Sequence, residues 1–433
     1  MKKTAIVLFA IVLLAAAMVL TACSNPAKSQ APGESMGQAA GQESGGKVTE
    51  ITYTHLGDWA KPGLEKAAKD FEAETGIKVN LQFFPFQDAY EKYLTLIQSD
   101  TMPDAGMGFS DFAGEFYERG AILPLEDLIS QEYKADIQDS LVEMCTYKGH
   151  LAAVPFAMSV RMPMYRADVF EREGIKAPKT TSDLLAAAQV LYNPPEMYGY
   201  GLCSARNKNS AEFYMELLWP MGGELMNEDD TKVAFNSPEG IEAMKLFLEL
   251  AKTAPEGYQT SDIYLGENAF TAGNLALING GMWVVPPLME ANPEAEVGYV
   301  PKLTGPGGHS GNLIIADFIY VFDNKDSARA KAAMEWIEFF KSDEAYLGKS
   351  FVEYGFAPDL KSHSGWEFMQ NETADVVSAA AECGKGYPLT PAWPQISDAL
   401  SVAVGKVCAG QATPEEALDE AEKLCNEAIE NSY

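Results

Sequence analysis

The sequence predicts an α/β protein of two domains, a mostly parallel sheet with helices on both faces, carried behind an export leader and a polar linker. Three observations predict it. From Val48 onward, short β-rich runs alternate with amphipathic helical runs, which is the pattern of strand–helix–strand units. About 385 of the 433 residues follow the linker, too many for one ordinary core. The residues before Val48 divide into one apolar run and one polar run, neither with a globular pattern.

Met1, Lys2 and Lys3 precede an apolar or small run from Ala5 to Leu20. At ~1.5 Å per residue such a helix falls short of a ~30 Å hydrocarbon core. Residues 1–22 therefore read as an export signal. Leu20-Thr21-Ala22-Cys23 resembles the bacterial lipobox, in which the cysteine is lipidated and becomes the first mature residue; a thiolate is the side-chain nucleophile suited to a thioether. The competing role is a plain signal peptide with an incidental cysteine. Two or more acyl chains, at roughly 0.8 kcal/mol per buried methylene, give stable attachment. Residues 23–47 contain no Val, Ile, Leu or aromatic side chain, so they form a lipidated cysteine and a flexible tether. The expected location is extracytoplasmic, anchored to the cell membrane through Cys23.

The first strand is "KVTEITYTHL". "KPGLEKAAKDFEAETG" then sets Leu64, Ala67, Ala68 and Phe71 on one helical face, closed by Gly76. "IKVNLQFF" is a second strand, "DAYEKYLTLIQSD" a helix, and "MPDAGMGFS" a short strand after a proline turn. In sheets of this kind ligands bind beyond the carboxyl ends of the strands; here those ends carry His55–Trp59, Phe84–Gln87 and Phe109–Asp111. Near residue 155 the character changes. "GHLAAVPFAMSVRMPMYRADVF" is a strand leaving the first domain, followed by helical material in "TTSDLLAAAQVLY", "SAEFYMELLWPMGGE" and "SPEGIEAMKLFLELAKT". "ENAFTAGNLALINGGMW" gives a helix, a short strand and a Gly-Gly turn. "GGHSGNLIIADFIYVF" is a strong strand with the helix "SARAKAAMEWIEFFKSDEAY" after it. Thr413 and Glu416 form a capping box at the head of the last helix.

Acidic residues number 62 against 32 Lys and Arg, a net charge of −30, near −32 once the leader lysines are removed. Nucleic acid is thereby excluded as a partner, because phosphates need Lys and Arg. Lying flat on anionic lipid is disfavoured as well. Five cysteines follow Cys23, an odd number, with no C-x-x-C; a Cys408–Cys425 disulfide and free buried thiols are both open readings. The four histidines lack metal-ligand spacing, so no metal and no cofactor is expected. Phosphate-loop, G-x-S-x-G and H-E-x-x-H signatures are missing.

The landmarks "FEAETGIKV" (71–79), "MPDA" (102–105), "ERGAILPLEDL" (118–128), "YKGHLAAVP" (147–155), "FNSPEG" (235–240), "FTAGNLALINGGMW" (270–283) and "GQATPEEAL" (410–418) occur in this order behind the lipobox. In that order the chain resembles the extracellular solute-binding proteins of carbohydrate ABC importers, the maltose-binding-protein-like family, from about Val48 to Ile429. It departs from the family at Ala276-Leu277, where "AM" is usual, and in the late position of Trp59. The resemblance implies a two-lobed periplasmic-binding-protein-like fold (type II) whose hinge the chain crosses three times. One lobe would hold 48–157 with 316–357, the other 158–315 with 358–433. It implies binding without catalysis, with a sugar or oligosaccharide as ligand and transmembrane permease subunits as partners.

A pyranose offers apolar faces and a hydroxyl rim, so aromatic rings and hydrogen-bonding groups are needed together. Trp283, after Gly280-Gly281, matches the tryptophan that stacks on a sugar in the family; a core role competes. Trp393 in "TPAWPQI" and Trp59 beside Asp58 are further aromatic candidates. Asp111 is a candidate acceptor or a helix N-cap. Arg161 is a candidate donor or a structural ion pair. Asp317 lies in an apolar strand, where an unpaired carboxylate is costly, as a ligand contact or a hinge hydrogen bond. Trp219 and Tyr354 complete the set. Two other functions stay open: an exported glycosidase using a carboxylate pair, and the same fold with a non-sugar solute.

Overall fold

A computed structural model describes residues 47–369 and 372–432. The leader, Cys23 and residues 24–46 lie outside the described residues. Eleven strands are formed among the described residues: β1 (Glu50–Leu56), β2 (Lys78–Phe84), β3 (Ala105–Phe109), β4 (Thr146–Tyr147), β5 (His150–Leu151), β6 (Val154–Arg166), β7 (Tyr198–Gly201), β8 (Leu275–Gly280), β9 (Val297–Tyr299), β10 (Asn312–Val321) and β11 (Gly384–Lys385). β4 and β5 make a small hairpin; the rest join one sheet ordered β2-β1-β3-β10-β6-β8-β7, with β11 on β10 and β9 on β6.

The sheet is mixed rather than mostly parallel. β1 is parallel to β2 and β3, and β7 to β8. The two longest strands, β6 and β10, pair antiparallel with each other and with β8 and β3. Both are buried nearly throughout, and a continuous apolar run looks the same in either direction.

The helix Lys61–Thr75 buries Leu64, Ala67 and Phe71 and stops at Gly76, whose φ of 77° suits a left-handed cap. At the far end, Thr413 and Glu416 cap each other: the Thr413 N–H donates to Glu416 Oε2 at 3.0 Å, and the Glu416 N–H to Thr413 Oγ1 at 3.2 Å.

Apolar side chains gather in three clusters. The first draws on residues between Ile51 and Ala157 and between Ala316 and Leu360. The second runs from Val169 to Ile429. The third, around Val160, Met162, Met164 and Phe270, lies where β6 and β8 pair. β6 passes from the first cluster at Ala157 to the third at Val160; β10 passes from the second at Leu313 to the first at Ala316. Residues just past 357, which the family resemblance groups with the second lobe, pack on the first core through Leu360 and Trp366. There, buried Asp359 binds buried Lys341 through one oxygen and meets His363 Nδ1 with the other at 2.9 Å.

All five described cysteines are free thiols, so no Cys408–Cys425 bridge is formed. Among the described residues no helix is long and apolar enough to cross a membrane, and no group of side chains is arranged to hold a metal ion.

Candidate functional site

β3 ends at Phe109, and the 3-10 turn Ser110–Phe112 carries Asp111 just beyond it. The Asp111 side chain caps no helix. Its Oδ2 accepts from Lys208 Nζ at 2.8 Å and from Trp393 Nε1 at 3.1 Å. Its Oδ1 is buried and has no hydrogen-bond partner. Lys208 opens the helix Lys208–Leu218, set there by the side chain of Asn207, which accepts from the Ser210 N–H. Trp393 opens the helix Trp393–Cys408. A side chain at the tip of the first core's sheet is thus bonded to the starts of two helices of the second core.

The Lys208 ammonium lies 4.8 Å from the Phe109 ring centre and 4.4 Å from that of Tyr387, a cation–π setting. Trp393 is only 1% exposed. Tyr387 packs on it at 5.3 Å, and its N–H faces Asp111, so its ring offers no open face for stacking.

Behind Lys208, one turn apart on the same helix face, stand Glu212 and Glu216. Both are buried, and both engage Arg161 of β6. Arg161 donates from one terminal nitrogen to Glu212 Oε2 at 2.7 Å, and its Nε lies 2.8 Å from Glu216 Oε1, off the hydrogen-bond axis. Tyr387 OH donates to Glu212 Oε1 at 2.5 Å, and Asn279 Nδ2 to Glu216 Oε2 at 2.5 Å. Burial pushes both carboxyls up. For Glu212 the charges of Arg161 and Lys208 and the bonds from Tyr387 and Asn209 outweigh burial and hold it below the ordinary value. For Glu216 burial wins, and it rises to about 7. Arg161, 1% exposed, is thus held by a carboxylate pair.

Asp317 sits in β10 opposite Phe109 of β3 and Ala157 of β6, and a β-bulge separates it from Phe318. It is buried, and its Oδ1 has no hydrogen-bond partner. Burial pushes its carboxyl up to about 8; the Lys208 ammonium opposes the rise and Asp111 adds to it.

Half-buried aromatics line the first core beside this cluster. Phe86 stacks on Phe109 at 6.0 Å. Gly57, at φ 67°, lets Phe86 and Trp59 close over it: a Cβ there would lie 2.6 Å from Phe86 and 3.1 Å from Trp59. Trp59 in turn meets Tyr354 at 5.6 Å and Phe356 at 5.0 Å, over a His55 ring at 5.1 Å. Both His55 nitrogens are buried and unpartnered, and burial pushes its pKa down to about 3.

From the third cluster, Trp283 occupies the 3-10 turn Met282–Val284 after β8. Its ring folds back over Gly281, where a Cβ would fall 1.7 Å from a ring carbon. Its Nε1 donates to Glu267 Oε1 at 2.8 Å, and burial raises the Glu267 pKa. The turn touches the end of the helix Glu344–Tyr354, since a Cβ on Gly355 would lie 2.3 Å from Met282 Cβ. Trp219 is placed apart from this aromatic row, 3% exposed, at a cavity of about 500 Å³ shared with Glu224, Met226, Lys385 and Tyr387.

Of the predicted residues, then, Asp111, Trp393 and Asp317 meet around Lys208, and Trp59 meets Tyr354. Arg161 lies behind them, the turn that carries Trp283 meets Gly355 through Met282, and Trp219 borders a cavity it shares with Tyr387. Sequence reasoning passed over Lys208, Glu212, Glu216, Glu267 and Tyr387, and named Phe86 and Phe109 only within the strand ends. Their signal was present in part: Lys208, Glu212 and Glu216 stand four apart, on one helical face, beside the apolar run Phe213–Met215.

The model of bacterial extracellular solute-binding proteins matches residues 66–362. A Brucella abortus protein named as a binding protein is 26% identical over 371 residues, 83% of this chain and 88% of its own. The diacetylchitobiose binding protein of Streptomyces coelicolor is 24% identical over 349 residues, 76% of this chain and 77% of that one. Among solved structures, the ABC transporter solute-binding protein of Thermotoga lettingae bound with α-D-tagatose matches with a TM-score of 0.79 at 26% identity, over 88% of this chain and 100% of that one. By fold and by sequence, the chain belongs to the bacterial extracellular solute-binding proteins.

Proposed function

We propose that this protein is the substrate-binding subunit of an ABC importer, which captures a sugar or oligosaccharide between two lobes and delivers it to a membrane permease. The lobes are residues 48–157 with 316–357 and 158–315 with 358–433, with the first stretch beyond 357 riding on the first lobe; β6, β10 and the segment after Tyr354 are the hinge. Cys23 carries the lipid anchor, and tethering raises the concentration of loaded protein at the permease.

The observation that carries this reading is Asp111. It spans from the first core to Lys208 and Trp393 of the second, and still holds one buried, unpartnered oxygen. Such an acceptor calls for a hydroxyl donor. The half-buried row Phe86, Trp59 and Tyr354, with Trp283 beside it, supplies aromatic surface for C–H faces. One relative is named for diacetylchitobiose and another is bound with tagatose, both hydroxyl-rich.

The glycosidase reading has its best carboxylate pair in Glu212 and Glu216, whose pKa values move apart. Both are buried and ion-paired with Arg161, which favours binding without catalysis. Incubation with labelled oligosaccharides tests it: intact sugar that raises the melting temperature supports capture, and hydrolysis beyond one equivalent refutes it.

A further inference from the structure

We propose that Asp317 is a specificity-determining residue of this site, presenting its buried, unpartnered carboxyl oxygen to the bound solute beside that of Asp111; this rests on the site being a solute-binding crevice.

Asp317 is placed for that role by the sheet. It pairs with Phe109, two residues before Asp111, and the bulge that follows it lies opposite Pro155–Ala157 of β6. Bulges re-aim side chains next to functional sites. The carboxyl is 6% exposed, and its Oδ1 has no hydrogen-bond partner. Asp111 Oδ1 and Ser110 Oγ, from the turn after β3, are likewise buried and unpartnered. Three such polar groups on neighbouring elements are costly unless something fills their valences.

The titratable groups that act on Asp317 come from four elements: Asp111 from the turn after β3, Lys208 from its helix, Tyr53 from β1 and Tyr320 from β10 itself. β6 presents only Ala157 opposite. Lys208 is the one cation among them, and it is bonded to Asp111. Burial therefore prevails, and Asp317 holds its proton up to about pH 8. A protonated carboxyl has one O–H donor and keeps an acceptor; the Asp111 oxygen only accepts. A solute hydroxyl that donates to Asp111 and accepts from Asp317, or two adjacent hydroxyls that divide the tasks, satisfies both. A solute with no hydroxyl donor leaves both buried oxygens unfilled. Once Asp317 ionises, two negative charges share one ammonium in a drying crevice, and the donor is gone. Affinity is therefore full below the Asp317 pKa and falls as pH rises through it, by about tenfold per pH unit in the limit.

Titration calorimetry with D-tagatose, maltose and N,N′-diacetylchitobiose, from about pH 6 to about pH 9.5, tests this on the wild type and on Asp317→Asn. The wild type should lose affinity above about pH 8. Asp317→Asn, a permanent neutral donor, should bind a few-fold more weakly at low pH and show a flat profile. Parallel profiles for the two proteins overturn the proposal alone. Failure of all three sugars to bind at any pH overturns the sugar-binding reading, and the proposal with it. Should Asp317→Asn not fold, Lys208→Met carries the test. Losing the cation that opposes Asp317 protonation should move the fall in affinity to higher pH, and an unmoved fall overturns the proposal.

Discussion

Asp111 Oδ2 and Lys208 Nζ meet at 2.8 Å, joining the turn after β3 in the first core to the first residue of a helix in the second. The carboxylate is 6% exposed and the ammonium 32%, so the pair is screened on one side only. It is the most direct polar link between the two cores at the candidate site.

Lys208→Met should loosen that link. An exposed ion pair contributes up to about 1 kcal/mol, and the buried carboxylate brings this one to the upper end. Small-angle scattering of the ligand-free protein should give a larger radius of gyration for the variant. High salt should move the wild type the same way. Equal radii in low salt would show that the pair does not hold the halves together.

Arg161→Met should cost far more. It strands Glu212 and Glu216, both buried, without their shared cation, a loss of about 3–5 kcal/mol for a buried pair broken on one side. Adding Glu216→Gln should recover part of it, because one uncompensated charge is removed. Urea unfolding of the single and double variants measures the difference. A single variant as stable as the wild type would mean the triad contributes nothing net.

These two cases mark what the sequence made legible. Asp111 and Trp59 were found because strand ends in α/β sheets carry ligand residues, and each needs only local reading. The alternation from Val48 gave the strands, and the capping pair Thr413–Glu416 gave the last helix. Lys208, Glu212 and Glu216 were passed over because charges four apart on a helix usually mark a solvated face. What buries them is Arg161, on a strand 51 residues before Glu212, and no local pattern encodes that meeting. Strand direction was hidden for the same reason: β6 and β10 are buried on both faces, and only their partners decide which way they run.

Stability should fall between about pH 4.5 and about pH 7 through Glu216. Its folded pKa, about 7, lies above the ordinary 4.5 because burial outweighs Arg161. A raised carboxyl binds its proton more tightly when folded, so its stabilisation is complete below the unfolded pKa and is lost as pH rises through the folded one. Glu216→Gln removes that loss. Unfolding free energies at intervals across this window should diverge in favour of the variant by roughly 1–3 kcal/mol and run parallel above it. Parallel curves throughout would place the Glu216 pKa at its ordinary value.

Trp283→Ala should abolish the melting-temperature rise given by a bound sugar while costing the free protein little. The indole is half-buried, folded over Gly281, and held through its N–H by Glu267. Glu267→Gln, which keeps an acceptor for that N–H, should retain most of the rise. If Trp283→Ala keeps full affinity in a calorimetric titration, the ring is packing and not a platform.

Lys341 and Asp359 form a second buried pair, far from the first in sequence. Lys341 also donates to the Phe156 carbonyl at 2.5 Å, and His363 Nε2 meets the Lys341 carbonyl at 2.8 Å. The group thereby ties β6, just before it leaves the first core, to the segment following Ala357, whose N–H donates to the Met158 carbonyl at 2.8 Å. Burial pulls the Lys341 pKa down, and Asp359 pulls it back up. Asp359→Leu should therefore leave an ammonium with no counter-charge and cost about 3–5 kcal/mol, while Lys341→Met with Asp359→Leu should cost less than either change alone. The double variant should also bend differently at this point. With both charges gone, β6 and the segment after Ala357 are no longer fastened to one group, so the scattering radius with and without sugar should differ less sharply than in the wild type. Additive destabilisation of the two single variants would show that the side chains act independently, and the coupling of the two hinge segments through them would be refuted.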